Sequence, residues 1–381
     1  MYTPADYGQL ALFMSMVGIV VTVSCLRYEA AIAAVDDEHV SDAVWVALLS
    51  ACSIFTVLVF ALFLLKPQVY FSQFQSLGIG LWGVPIYGLC GGSLLVALQL
   101  TLRRAQFPLN ASFRSAQTVF FVLIALLCSG LGLVGATILA SIATGVLTFS
   151  YLLKSSNRPD LNKVKITARE YRSHPFLLMP SALVDSVAIS APIFFMSNAY
   201  GASDTGHYFQ VQKIVGAPLL LMAVVVGQLF QKRSGEVYRG GGTSAGLLWK
   251  SISVQSVVGL CAVGFLLVFG ESLFDLLLGN SWDVNVTFLL LVTAPLLFRV
   301  IVSPISTIFI TNKNVRLGVS WQIAYFLSTV TVLYIASSTL TFKSFLLVYG
   351  MHELLAYSVY LYLANTVARK RRKYVSGADV E

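Results

Sequence analysis

AVWVALLSACSIFTVLVFALFLL, residues 43–65, contains no charged side chain. An α-helix needs roughly 20 apolar residues to cross a hydrocarbon core about 30 Å thick, and this stretch supplies them. An acidic turn, Asp36-Asp37-Glu38, precedes it and Lys66 closes it. Comparable runs lie at 8–26, 76–101, 110–128, 131–153, 175–197, 207–230, 250–270, 286–310, 317–338 and 345–367. The stretch 110–153 is too long for one crossing. It divides best at Ser129-Gly130, giving two helices and a tight hairpin. The first run is not a secretory signal, because MYTPADYG has no basic segment before the apolar one.

Composition points the same way. Of 381 residues, 57% are hydrophobic and only 11% are Asp, Glu, Lys or Arg. Soluble domains carry about 25% charged residues. The scarcity excludes a soluble enzyme, a disordered chain, a secreted disulfide scaffold and a single-anchor protein. The predicted fold is an all-α polytopic membrane protein with 11 transmembrane helices. Cys25, Cys52, Cys90, Cys128 and Cys261 all lie in or beside apolar runs, without CxxC spacing, and read as packing residues.

The basic residues orient the spans. With the C-terminus inside, the segments 27–42, 102–109, 154–174, 231–250, 311–316 and 368–381 hold 20 of the 25 Lys and Arg. The opposite connections hold two, Lys66 and Lys343. Such asymmetry marks the cytoplasmic side. The tail cluster 369–373 is then a topogenic, lipid-facing group. It has no aromatic platform to suggest nucleic acid.

A repeat divides the chain. At an offset of 198, Asp6 meets Asp204, Gly8 meets Gly206, and Val17-Gly18 meets Val215-Gly216. A whole span, 175–197, precedes the second motif; Met1 and Tyr2 alone precede the first. The expected organisation is a five-helix N-terminal bundle (1–153), a basic cytoplasmic linker (154–174), a six-helix C-terminal bundle (175–367) and a basic tail (368–381). Six helices per half is a parallel repeat about an axis normal to the membrane, as in some transporters. On this reading the chain is a twelve-helix exporter fold lacking its first helix.

Several stretches carry a resemblance. They are TPADYGQLALF (3–13), LRYEAAIAAVDDEHV (26–40), QKIVGAPLLLMAVVVGQLFQKRSGE (212–236), FGESLFDLLLGNSW (269–282) and FRVIVSPIST (298–307). Together the chain resembles the oligosaccharide flippases of polysaccharide biosynthesis, in the multidrug/oligosaccharidyl-lipid/polysaccharide exporter superfamily. The resemblance implies two helix bundles around a central cavity that alternate between inward-open and outward-open states. It implies a polyprenyl-diphosphate-linked oligosaccharide as substrate, the bacterial cytoplasmic membrane as location, and surface-polysaccharide synthesis as the process. Glycan polymerases or glycosyltransferases are the implied protein partners. It also singles out Arg27, Tyr28 and Glu29, which on physical grounds read as an interfacial ion pair at the inner end of the first span.

Charges within spans are costly and are usually retained for function. Asp185 is the eleventh residue of its span, about 15 Å deep at ~1.5 Å per residue. It lies between Pro180 and Pro192. Arg299 lies between Pro295 and Pro304, and Lys213 shortly before Pro218. Prolines free helix carbonyls and favour kinks, tolerated in a membrane beside protein or a wet cavity. Arg299, Lys213 and Arg114 are therefore candidate cavity cations for a diphosphate or acidic sugar. Lys213 and Arg114 are close enough to an interface to snorkel there instead. Asp185, Glu353 and the adjacent His352 are candidates to take up a coupling H⁺ or Na⁺. An Asp185–Arg299 ion pair that only holds helices together is the structural alternative.

Other motifs carry less. Gly78-Ile79-Gly80-Leu81-Trp82-Gly83 matches GxGxxG, but no strand precedes it; helix packing is the better reading. The acidic turn 36–38 has no further metal ligands, and no P-loop is present, so no cofactor is expected. The competing functions are a drug or toxin exporter of the same superfamily, a membrane polysaccharide polymerase or glycosyltransferase, and a non-transporting scaffold. The connections leave little room for a catalytic domain, so the chain is not expected to be an enzyme.

Overall fold

A computed structural model describes residues 2–33, 35–67, 72–75, 77–279, 282, 284–312 and 314–369. From Lys370 onward the basic tail cluster lies outside these residues. Among them the chain is helical and forms no strand. Among the described residues, eleven helices are long and apolar enough to cross a membrane. A bilayer core offers backbone groups no water, so each span must satisfy its own hydrogen bonds, as a helix does.

The contacts define two compact units, Met1–Gly206 and His207–Glu381. In the first unit the spanning helices are α1 (Pro4–Ser24), α2 (Val40–Leu65), α3 (Gly83–Arg103), α4 (Phe107–Leu127) and α5 (Gly132–Ser155). A surface helix, α6 (Leu161–Glu170), follows. A π-turn, His174–Leu178, then leads into α7 (Met179–Ala199). The break between α4 and α5 falls at a 3₁₀ turn, Ser129–Leu131, where the sequence places it.

Local sequence explains where α1 begins. Thr3 Oγ1 accepts a hydrogen bond from the Asp6 amide, and the Thr3 amide donates to Asp6 Oδ2 at 2.7 Å. This capping box, with Pro4 in the first turn, satisfies amides that no helical carbonyl can reach. The acidic turn before α2 is also tied down, since Arg103 donates to the Ile32 carbonyl and to Asp37 Oδ1.

α3 is the hub of the unit, packed on α1, α2, α4 and α5. Its contact faces are made of glycine. A Cβ on Gly83 would stand 2.1 Å from Ile138 Cδ1, and one on Gly88 would stand 2.4 Å from Val20 Cγ1. Lipid tails are as apolar as leucine, so spanning helices associate through close packing rather than through hydrophobic contrast. The GxGxxG stretch belongs to this packing: Gly80 and Gly83 meet Val134 and Ile138 of α5. Away from α3 the helices expose large apolar side chains. Phe60, Phe63 and Leu65 of α2 are 61%, 65% and 66% exposed, as befits a lipid-facing surface.

α7 packs on α1. Ser190 Oγ donates to the Ser15 carbonyl at 3.2 Å, and Thr22 and Ser186 hydroxyls lie 3.4 Å apart. The contact boundary therefore falls at Gly206, one span later than the basic linker at which the repeat divides the sequence.

The second unit contains most of α8 (Gly201–Arg239), then α9 (Ala245–Leu278), α10 (Val286–Val302), α11 (Val315–Thr339) and α12 (Phe342–Arg369). α12 packs on α9, α10 and α11. The helices α7, α8 and α10 run on through Pro192, Pro218 and Pro295. Pro180 sits instead in the first turn of α7. At Pro304 the α-helix gives way to a 3₁₀ turn, Ser303–Thr307. Gln255 Nε2 of α9 donates to the Ile301 carbonyl at 3.0 Å just before that change. A side chain thus serves a carbonyl beside the proline break.

Candidate functional site

The second unit gathers three of the sequence-nominated residues. Arg299 lies on α10; His352 and Glu353 lie on α12. Glu353 is 2% exposed. Its Oε1 accepts a 2.7 Å hydrogen bond from the Tyr325 hydroxyl of α11. His352 Nδ1 stands 3.8 Å from the same oxygen, and His352 Nε2 is 3.0 Å from Ser328 Oγ. His352 therefore lies between the buried carboxyl and an exposed hydroxyl on α11, hydrogen-bonded to the hydroxyl and not to the carboxyl.

Arg299 faces this cluster. Tyr357, Tyr325, Glu353 and Tyr349 are its electrostatic neighbours. Tyr208 of α8 joins them, hydrogen-bonded to Tyr349. Among the described residues the Arg299 guanidinium forms no direct salt bridge, so its charge is shared across phenol oxygens and a carboxyl at longer range. Rings close the site: Trp321 stacks on Tyr325 at 5.1 Å and lies 4.2 Å from Tyr360. Tyr325 and Tyr357 meet edge to face at 5.8 Å.

Helical spacing assembles this chemistry. Tyr349, Glu353, Tyr357 and Tyr360 recur at three or four residues, so α12 presents them along one face. Trp321 and Tyr325 do the same on α11. Sequence reasoning nominated Arg299, Glu353 and His352 but missed the tyrosines. The signal was there in the i, i+4, i+8 recurrence of tyrosine around a glutamate inside a span.

Other nominated residues lie elsewhere. Lys213 is exposed on α8, its Nζ 5.2 Å from the centre of the Phe209 ring. Arg114 is exposed on α4 and donates from Nε to Asn110 Oδ1 at 3.2 Å. Asp185 is exposed on α7. It has no ion pair among the described residues, with Arg299 or any other group.

Arg27, Tyr28 and Glu29 form a separate cluster past the end of α1. Leu26 and Arg27 both have positive φ, 49° and 64°. That backbone is uncommon outside glycine. It turns the chain so that Glu29 points inward. Glu29 is 5% exposed, 3.5 Å from Arg27 Nη1, and its Oε2 has no hydrogen-bond partner. Burial pushes its carboxyl above the usual range, against the opposing pull of Arg27. Tyr28 donates to the Ala168 carbonyl of α6 at 3.1 Å. Arg27 and Glu29 thus form an ion pair within a packed turn past the end of α1.

Among the described residues, no group of three His, Cys, Asp or Glu side chains could hold a metal ion.

Fold and charge placement together define a multi-pass membrane protein whose second unit encloses a guanidinium, a carboxyl and a ring of tyrosines. The model of the polysaccharide biosynthesis protein family matches residues 1–287, and the chain belongs to that family. Comparison with curated proteins finds no match. Among solved structures, one similar chain is a MATE protein in complex with MaL6. It has a TM-score of 0.56 and 13% identity, over 95% of this chain and 86% of that one. Another is a MOP superfamily transporter from Pyrococcus furiosus, described as having a binding pocket of reverse polarity. Its TM-score is 0.53 and its identity 14%, over 96% of this chain and 87% of that one. At such identities the likeness is one of fold: the chain has the fold of this transporter superfamily.

Proposed function

We propose that the protein is a flippase that moves a polyprenyl-diphosphate-linked oligosaccharide across the bacterial cytoplasmic membrane by alternating access, for synthesis of a surface polysaccharide. The family supports the process and the fold supports the transport. The observation that carries the site assignment is the Arg299–Glu353 cluster, a cation and a carboxyl retained inside the helices of one unit. Arg299 supplies positive charge for a diphosphate or an acidic sugar, which its planar fork can hold through two hydrogen bonds. Glu353, reached through His352 and Ser328, takes up the coupling H⁺ or Na⁺ and biases one state over the other. Lys213 and Arg114 are secondary candidates for the anionic substrate, and Asp185 for the ion. In this reading the protein is a transporter rather than an enzyme, with its C-terminus in the cytoplasm.

A second reading rests on the rings around Glu353. Trp321, Tyr325 and Tyr357 beside a carboxyl are also what an organic cation would require, through cation–π contacts. Complementation of a flippase-deficient strain separates the two. Arg299→Ala and Glu353→Gln should each abolish surface glycan at matched protein levels. Normal glycan with both variants sinks the site assignment. Drug resistance conferred by the wild type, lost in Glu353→Gln, would favour the exporter reading.

A further inference from the structure

The loop end of the α8–α9 pair carries a groove of about 180 Å³. Its apolar wall is Val226, Leu229 and Phe230 of α8 with Val254 of α9; its polar wall is Arg233 and Lys250. The spacing is regular. On α8 the lining positions fall at i, i+3, i+4 and i+7, so Arg233 stands about 10 Å along the axis from Val226 at 1.5 Å per residue. Apolar lining continues past Val226 and Val254 to Met222 and Val258, toward the middle of the spans. The groove is therefore apolar at its deep end and basic at its shallow end.

Three observations say what such a groove takes. Arg233 and Lys250 are both exposed, and neither is in an ion pair among the described residues. Trp249, next to Lys250, is 46% exposed and donates from its indole N–H to Asn365 Oδ1 at 3.2 Å. A half-exposed tryptophan at a span end marks headgroup depth. The flanking segment 231–250 carries four Lys and Arg, the pattern of the anionic cytoplasmic leaflet. Long basic side chains reach from a helix toward the phosphate layer while their stems stay against apolar surface.

We propose that this groove is a binding site for one anionic phospholipid. Arg233 and Lys250 hold its phosphodiester, and an acyl chain lies along Val226, Leu229, Phe230 and Val254. The site is separate from the Arg299–Glu353 cluster and does not depend on the transport reading. A neutral zwitterionic lipid lacks the net charge that two unpaired cations select for.

Native mass spectrometry of the full-length protein in neutral detergent tests this. Phosphatidylglycerol and phosphatidylcholine of equal chain length are titrated against wild type, Arg233→Gln/Lys250→Gln and Val254→Trp. Each basic contact contributes roughly fivefold, so the double variant should bind phosphatidylglycerol about twenty-five-fold more weakly. Val254→Trp fills the deep end with both cations intact and should also lose the lipid. Phosphatidylcholine should bind weakly to all three. Equal phosphatidylglycerol affinity in wild type and the double variant overturns the proposal. So does equal affinity of the wild type for the two lipids. Displacement of phosphatidylglycerol by a stoichiometric amount of polyprenyl phosphate also overturns it, by making the groove a carrier site.

Discussion

Gly8 and Gly206 are pressed against each other's helices. A Cβ on Gly8 would lie 1.8 Å from the Ala202 carbonyl oxygen, and a Cβ on Gly206 would lie 1.8 Å from the Pro4 carbonyl oxygen. The two copies of the repeated Asp-x-Gly motif are therefore in contact, through the one atom each glycine lacks. Gly8→Ala and Gly206→Ala should each lower the yield of monodisperse protein and its melting temperature, because backbone, unlike a flexible side chain, cannot step aside. Overpacking a tight site costs about 1–3 kcal/mol. Gly18→Ala, on the same helix with nothing within 4 Å of the new methyl, is the control and should be neutral or stabilising.

Tyr325 and Glu353 should be energetically coupled. Tyr325→Phe removes the hydroxyl that donates to Oε1, and Glu353→Gln alters the acceptor. A hydrogen bond to a charged group contributes about 1.5–3 kcal/mol. In a double-mutant cycle read by thermal unfolding in detergent, the two losses should fall short of additivity by about 0.5–3 kcal/mol. Strict additivity would show that the carboxyl adds nothing to the contact beyond what a neutral amide oxygen gives.

Glu29 gives a pH dependence whose sign is fixed. Burial raises its carboxyl above the usual value in the folded state. Its contribution to stability is therefore complete below the unfolded carboxyl's range and declines as pH rises through the folded value. Glu29→Gln keeps the neutral shape without the charge. The variant should melt higher than wild type near pH 8, and the gap should close toward pH 4. Melting curves in detergent across that range check it; a gap independent of pH would rule burial out as the cause.

Lys66 ends α2 in the left-handed region, φ 41° and ψ 54°, with its amide donating to the Leu62 carbonyl at 3.1 Å. A left-handed backbone costs an L-residue about 1–2 kcal/mol, and glycine avoids most of that. Lys66→Gly should therefore raise stability by about 1 kcal/mol, measurable as a higher melting temperature.

The spans were legible because the bilayer enforces them. Residues 43–65 have no alternative to a helix, and Ser129-Gly130 is the best break in its long run. Arg299 and Glu353 were legible because a charge in a span stands out against its neighbours. Tyr349 and Tyr357 were not, since a tyrosine in a span also suits an interface and only its partners tell the difference. Helix pairing was the least legible feature. α7 lies on α1 through Ser190, Ser186, Ser15 and Thr22, and such small groups have no complement readable along the chain. The inward turn of Glu29 depends on positive φ at Leu26 and Arg27, residue types that give no warning of it.

The glycine face of α3 has a consequence for descent. Where α3 contributes no side chain, the neighbouring helix supplies the whole volume of the contact: Val20 at Gly88, Val21 at Gly91, Ile138 at Gly83. A methyl gained on α3 can be accommodated only by one lost across the interface. Substitutions at Gly88 should therefore be rescued by Val20→Ala, and those at Gly91 by Val21→Ala. In homologous lineages these pairs should trade volume back and forth, leaving a record of the packing that any one sequence conceals.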